Sequence, residues 1–212
     1  MASILDLLNS DMGKQLISGA SAQTGQSTDK TATVLSMAMP FLLGAMKKNA
    51  STPDGAAGLL GALNSKHDGG ILDNLGGLFS GGVDESVQQD GAGILGHILG
   101  GSQPKVENAL SQKSGVDAAS VAQILKVAAP ILMGVLGKET RQNNVSDSNG
   151  LGDLLGGLMG GGSQSNDDQS FIESLLDADG DGSIIDDVAG MVLGGQKKKS
   201  GLGGLLGGLF GK

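Results

Sequence analysis

An apolar run with a proline at its centre occurs twice in this chain. Val34-Leu-Ser-Met-Ala-Met-Pro40-Phe-Leu-Leu-Gly44 returns as Ile124-Leu-Lys-Val-Ala-Ala-Pro130-Ile-Leu-Met-Gly134, 90 residues on. The match extends without a gap from Ser21-Ala-Gln-Thr-Gly25 and Ser111-Gln-Lys-Ser-Gly115 to Lys48 and Lys138, with nine of 28 positions identical. Val121, Ile124, Leu125, Ala128, Leu132, Val135 and Leu136 follow the i, i+3, i+4, i+7 spacing of a helix stripe. Leu125, Ala128, Leu132 and Val135, with their counterparts Leu35, Ala38 and Leu42, are therefore expected in the core. Pro40 and Pro130 lack an N–H to donate, so each should kink its helix or start a new one. The expected purpose is a change of direction that fits a compact bundle.

A second pattern is a leucine/glycine helix. It recurs at Leu59, Leu60 and Leu63, at Leu72, Leu75, Leu78 and Phe79, and at Ile94, Leu95, Ile98 and Leu99. It returns at Leu151, Leu154, Leu155, Leu158 and Met159, and at Leu202, Leu205, Leu206, Leu209 and Phe210. Glycine is 39 of 212 residues, and each helical glycine costs up to ~1 kcal/mol relative to alanine. Such helices need packing to hold them. No stretch alternates with a period of two, so the expected fold class is all-α: a compact, internally duplicated multihelical bundle with a buried central helix and a flexible Gly-rich C-terminal region.

Composition removes several functions. There is no Cys, Trp or Tyr, and only four Phe, so disulfides, thiolate metal sites, cysteine nucleophiles and base-stacking platforms are excluded. His67 and His97 are too few for a multi-histidine metal centre. The net charge of −8 argues against nucleic acid as a partner. The glycine-rich segments hold no Gly-Lys-Ser/Thr phosphate loop. The start, Met1-Ala-Ser-Ile-Leu-Asp6, has no basic stretch of the kind a secretory signal carries, and the longest apolar runs are about a dozen residues against the ~20 of a membrane span. A cytoplasmic protein is expected.

Composition also divides the chain. Residues 1–140 hold the repeat and read as one helical domain. Residues 141–165 read as a Gly/Ser/Asn-rich linker with a short leucine/glycine helix, 166–195 as an acidic loop between short helices, and 196–212 as a basic Gly/Leu tail.

Three stretches carry a family resemblance: His67-Asp-Gly-Gly-Ile-Leu-Asp73, Gly93-Ile-Leu-Gly-His-Ile-Leu-Gly-Gly101, and Val121–Lys138 with its Ala-Pro-Ile-Leu-Met-Gly core. Together they resemble the bacterial DUF937 family (YidB-like proteins) over about residues 1–160. The resemblance implies a multihelical fold in which Val121–Leu136 is the buried helix. It implies no activity and no catalytic residues.

Asp177-Ala-Asp179-Gly-Asp181-Gly182-Ser183-Ile184 looks like the start of an EF-hand or dockerin calcium loop. Asp177, Asp179 and Asp181 would converge on a hard cation, Gly182 permits the turn and Ser183 offers its carbonyl. Position 12 is Val188 instead of a bidentate acid, so Asp187 or Asp186 would have to close the shell. The expected metal set is Asp177, Asp179, Asp181, Ser183 and Asp187, binding Ca²⁺ weakly at one site.

His67 beside Asp68 has no nucleophile or second base at a recognisable spacing, and His97 is expected to be half-buried and hydrogen-bonded. Asp167–Asp187 carries eight acids, after which Lys197, Lys198, Lys199 and Lys212 give four positive charges beside a Leu/Phe stripe. The leading expectation is a non-enzymatic interaction or scaffolding protein with an unknown protein partner, a homo-oligomer being also admitted. The first alternative is a peripheral protein whose tail binds an anionic membrane surface. An enzyme ranks last, and would be favoured by a clustered, buried pair of ionisable groups.

Overall fold

The computed structural model describes residues 3–79 and 83–160. Among the described residues the regular elements are all helical: α1 (Ile4–Asn9), α2 (Asp11–Thr24), α3 (Thr28–Asn49), α4 (Pro53–Ser65), α5 (Leu75–Phe79), α6 (Glu85–Leu99), α7 (Gln103–Ser114), α8 (Ala118–Gln142) and α9 (Ser148–Gly160). Short 3₁₀ turns at Gly70–Asn74 and Gly100–Ser102 lead into α5 and α7.

Local chemistry sets the helix starts. Ser3 and Asp6 form a reciprocal capping box on α1. Ser10, Ser27 and Thr52 accept from the third residue of α2, α3 and α4, and Asp117 does the same for α8. The duplicated segments fold alike. Helices α2 and α7 both end on a left-handed glycine, Gly25 at φ 68° and Gly115 at φ 65°. Three residues later α3 and α8 begin, again 90 residues apart.

The packing is reciprocal. Helix α2 lies on α3 and also on α8, while α7 lies on α8 and also on α3. Helix α4 covers α8, and α9 covers α3. The two equivalent turns meet: Gln26 Nε2 donates to Asp117 Oδ2 at 3.3 Å and to Ser120 Oγ at 3.2 Å, and Lys30 Nζ reaches the Gly115 carbonyl at 3.5 Å. Leu125, Ala128, Leu132 and Val135 are all buried, as are Leu35, Ala38 and Leu42. Helix α8 is the central helix. Among the described residues it is the one helix long and apolar enough to cross a membrane, and 72 % of that stretch is buried by its neighbours.

Two expectations are corrected. Neither proline begins a new helix; α3 and α8 each continue as one helix through Pro40 and Pro130. The leucine/glycine helix expected within 141–165 forms as α9, but it is not a tethered element. Leu151, Leu154, Leu155 and Leu158 of α9 are at most 2 % exposed and belong to the same core as α3 and α8. Burying four leucines contributes roughly 6–12 kcal/mol, at ~1.5–3 kcal/mol each. That exceeds the penalty of up to ~1 kcal/mol for each glycine in the helix.

Candidate functional site

Two sets of glycines in this bundle differ in what surrounds them. The first group lets backbones touch. A Cβ on Gly91 of α6 would overlap the carbonyl oxygen of Lys126 in α8, and a Cβ on Gly137 of α8 would overlap the carbonyl of His67. The second group meets nothing. Gly58 of α4 and Gly93 of α6 have no atom within 4 Å of where a Cβ would stand, and Gly61 and Gly96, three residues on, are equally open.

Gly58 and Gly93 both line a cleft of about 690 Å³ between α4 and α6. That volume is in the range of small-molecule and peptide pockets, ~300–1,000 Å³. Leu59 and Ala62 line the α4 wall, Ile94 and Ile98 the α6 wall, and Met46 and Met133 come from the long helices α3 and α8. Asn49 lies at one end, where its Nδ2 donates to the His97 carbonyl at 3.1 Å and ties α3 to α6.

The polar part of the cleft is Lys66, His67 and Asp90, with His97, Ser86 and Gln89 along the α6 side. His67 is only 8 % exposed. Its backbone is pressed onto Gly137 and its N–H donates to the Ala62 carbonyl at 3.0 Å. His67 Nδ1 lies 3.7 Å from Asp90 Oδ2, and Lys66 forms an ion pair with the other oxygen of Asp90. Burial pushes the His67 pKa below its usual 6.5; Asp90 opposes this, and Lys66 adds to it. The imidazole is therefore neutral near pH 7.

Asp68 does not join His67. It turns to Arg141, which donates to its carboxylate at 3.0 Å and also to its carbonyl. The Gly70 N–H and then Arg141 hold the Asp68 carboxyl below its ordinary pKa. With Gly69 at φ 101°, the His-Asp-Gly-Gly motif is a clamped turn that delivers His67 to the cleft. His97 is exposed, not half-buried, because it projects from the cleft wall of α6. Asp90 and Lys66 escaped sequence reading. Neither stands in a motif, and Asp90 reaches His67 from a different helix, α6, which packs on α8 through the neighbouring Gly91. Asp177, Asp179, Asp181, Ser183 and Asp187 lie outside the described residues, as does the Lys197–Lys199 tail. Among the described residues no three His, Asp or Glu side chains gather in a way that would hold a metal ion.

The comparison with protein families matches residues 6–139 and 143–212 to the model described as "Bacterial protein of unknown function (DUF937)". The chain belongs to the DUF937 family. The DUF937 match extends past residue 160, so α9 and the segments that read as an appended acidic loop and tail lie within the family region. The family description assigns no residue a role. No curated protein and no solved structure matches the chain.

Proposed function

We propose that this DUF937 protein is a non-enzymatic interaction protein and that the α4–α6 cleft receives a leucine-bearing helical segment. The observation that carries this reading is the pair of open glycines, Gly58 and Gly93, over an apolar lining. Each costs helix stability of up to ~1 kcal/mol, with no close neighbour to require it. Low walls let an incoming helix approach the α4 and α6 backbones while its leucines meet Leu59, Ile94, Ile98, Met46 and Met133. Filling the gap tests this. Gly58→Trp should abolish binding of a synthetic amphipathic peptide with leucines at i, i+3, i+4 and i+7. Unchanged binding to that variant would overturn the reading.

The loop Asp177–Asp187 contributes a weak Ca²⁺ site to the same proposal, supported by the alternate spacing of Asp177, Asp179 and Asp181 and by Gly182. Calorimetric titration of Ca²⁺ into the full chain and into an Asp177→Asn, Asp181→Asn variant tests it. Equal heats would remove the site.

One observation favours a second reading, an acid–base catalyst. His67 and Asp90 are the clustered pair that such a site needs, at 8 % and 19 % exposure. The Lys66 ion pair on Asp90 weakens it, because that carboxylate is already engaged. A polar small molecule that shifts the His67 ring resonances and leaves the Met46 and Met133 methyls unmoved would favour catalysis over helix binding.

A further inference from the structure

We infer that the occupant of the α4–α6 cleft is the chain's own segment Leu202–Phe210, docked within the same molecule. This rests on the cleft reading above and names its ligand. The first support is a copy. Residues 151–160, Leu-Gly-Asp-Leu-Leu-Gly-Gly-Leu-Met-Gly, and residues 202–211, Leu-Gly-Gly-Leu-Leu-Gly-Gly-Leu-Phe-Gly, agree at eight of ten positions. The first copy is helix α9, whose four leucines are inserted between α3, α4 and α8. The same stripe on a second copy needs a second groove of the same chemistry. Helix α4 is thus packed by one leucine/glycine helix on one side and faces the open cleft with Gly58, Leu59 and Ala62 on the other.

The second support is reach. Residues 161–201 are 41 residues, which span ~60 Å even at the 1.5 Å rise of a helix. A domain of this size has a radius of gyration of about 15 Å, so every part of its surface is accessible to the segment. The third is charge. Lys197, Lys198 and Lys199 stand just before Leu202, and Asp84 and Glu85 are exposed at the start of α6, next in sequence to Ser86, which lines the cleft. Because the cleft is occupied in cis, an external partner binds by displacing the tail.

The absence of cysteine makes disulfide trapping in the full chain a clean test. In the double variant Gly93→Cys, Leu206→Cys, mild oxidation should give an internal disulfide at least tenfold faster than in Lys105→Cys, Leu206→Cys, whose first cysteine lies on α7 away from the cleft. Adding Leu205→Asp to the first double variant should bring its rate down to the control. Equal rates in the two double variants, or a covalent dimer as the main product, would overturn docking in cis. If Gly93→Cys alone is captured by a cysteine-bearing leucine peptide while the Gly93→Cys, Leu206→Cys double variant forms no internal disulfide, the cleft reading stands and self-docking fails.

Discussion

The carbonyl oxygen of Lys126 sits directly against Gly91, and it is the oxygen that Pro130 leaves without its helical donor. A proline four residues on removes the N–H that would have bonded it. Helix α6 brings a glycine to that point, so the two helices close to backbone contact over the freed carbonyl. The Pro130 position in the sequence and the Gly91 position are thus one packing device. Its counterpart, the Ser36 carbonyl opposite Pro40, belongs to an exposed residue.

Gly91→Ala should therefore destabilise the fold by roughly 1–3 kcal/mol, the usual range for overpacking. Gly93→Ala, two residues along the same helix but facing open space, should stabilise it by ~0.5–1 kcal/mol. Urea unfolding of both variants measures the contrast. A loss at both positions would mean that Gly93 is also packed.

Helix α9 shares the core of α3 and α8, so Leu155→Ala and Leu132→Ala should each cost roughly 2–5 kcal/mol and move one common transition. If Leu155→Ala instead produced a separate early transition, with the remainder of the curve unshifted, α9 would be an independent appendage.

The buried His67 predicts an acid-side loss of stability. Its folded pKa is below 6.5, so as pH falls through 6.5 the unfolded chain takes up the proton before the folded one does. Stability declines from there until pH passes the folded value, and above pH 7 this residue contributes no pH dependence. Denaturant midpoints between pH 7.5 and 5 should fall, and His67→Gln should flatten the slope over that interval. The carboxyls of Asp6, Asp84 and Asp117, lowered by backbone and serine hydrogen bonds, act separately, below about pH 4.

The helical class and the core were legible because both rest on periodicity. Leu125 and Leu35 lie on stripes that a helix must bury, and the offset repeat placed their elements in matching turns at Gly25 and Gly115. The continuity of α3 and α8 through their prolines was not legible, since a helix carries on where the carbonyl that the proline frees can be accommodated: that carbonyl lies against Gly91 in α8 and belongs to an exposed residue in α3. The helix at Leu151–Leu158 was legible from its stripe, but its place in the core was not, because its glycines argue against a helix that stands alone and the burial that outweighs them is a tertiary effect. His67 was visible but its partner was not. Adjacent Asp68 is drawn away by Arg141, 73 residues distant, and Asp90 arrives from another helix.

The proposed function turns on leucine side chains entering the α4–α6 cleft. Methyl NMR of the full-length Leu205→Asp, Leu206→Asp variant, with its own tail segment disabled, measures this during titration with a peptide of residues 201–211. The methyls of Met46, Met133, Ile94 and Ile98 should shift together with the His97 ring, and Gly58→Trp in the same background should abolish every shift. Peptide-induced shifts confined to residues outside the cleft, or shifts that survive Gly58→Trp unchanged, would contradict it.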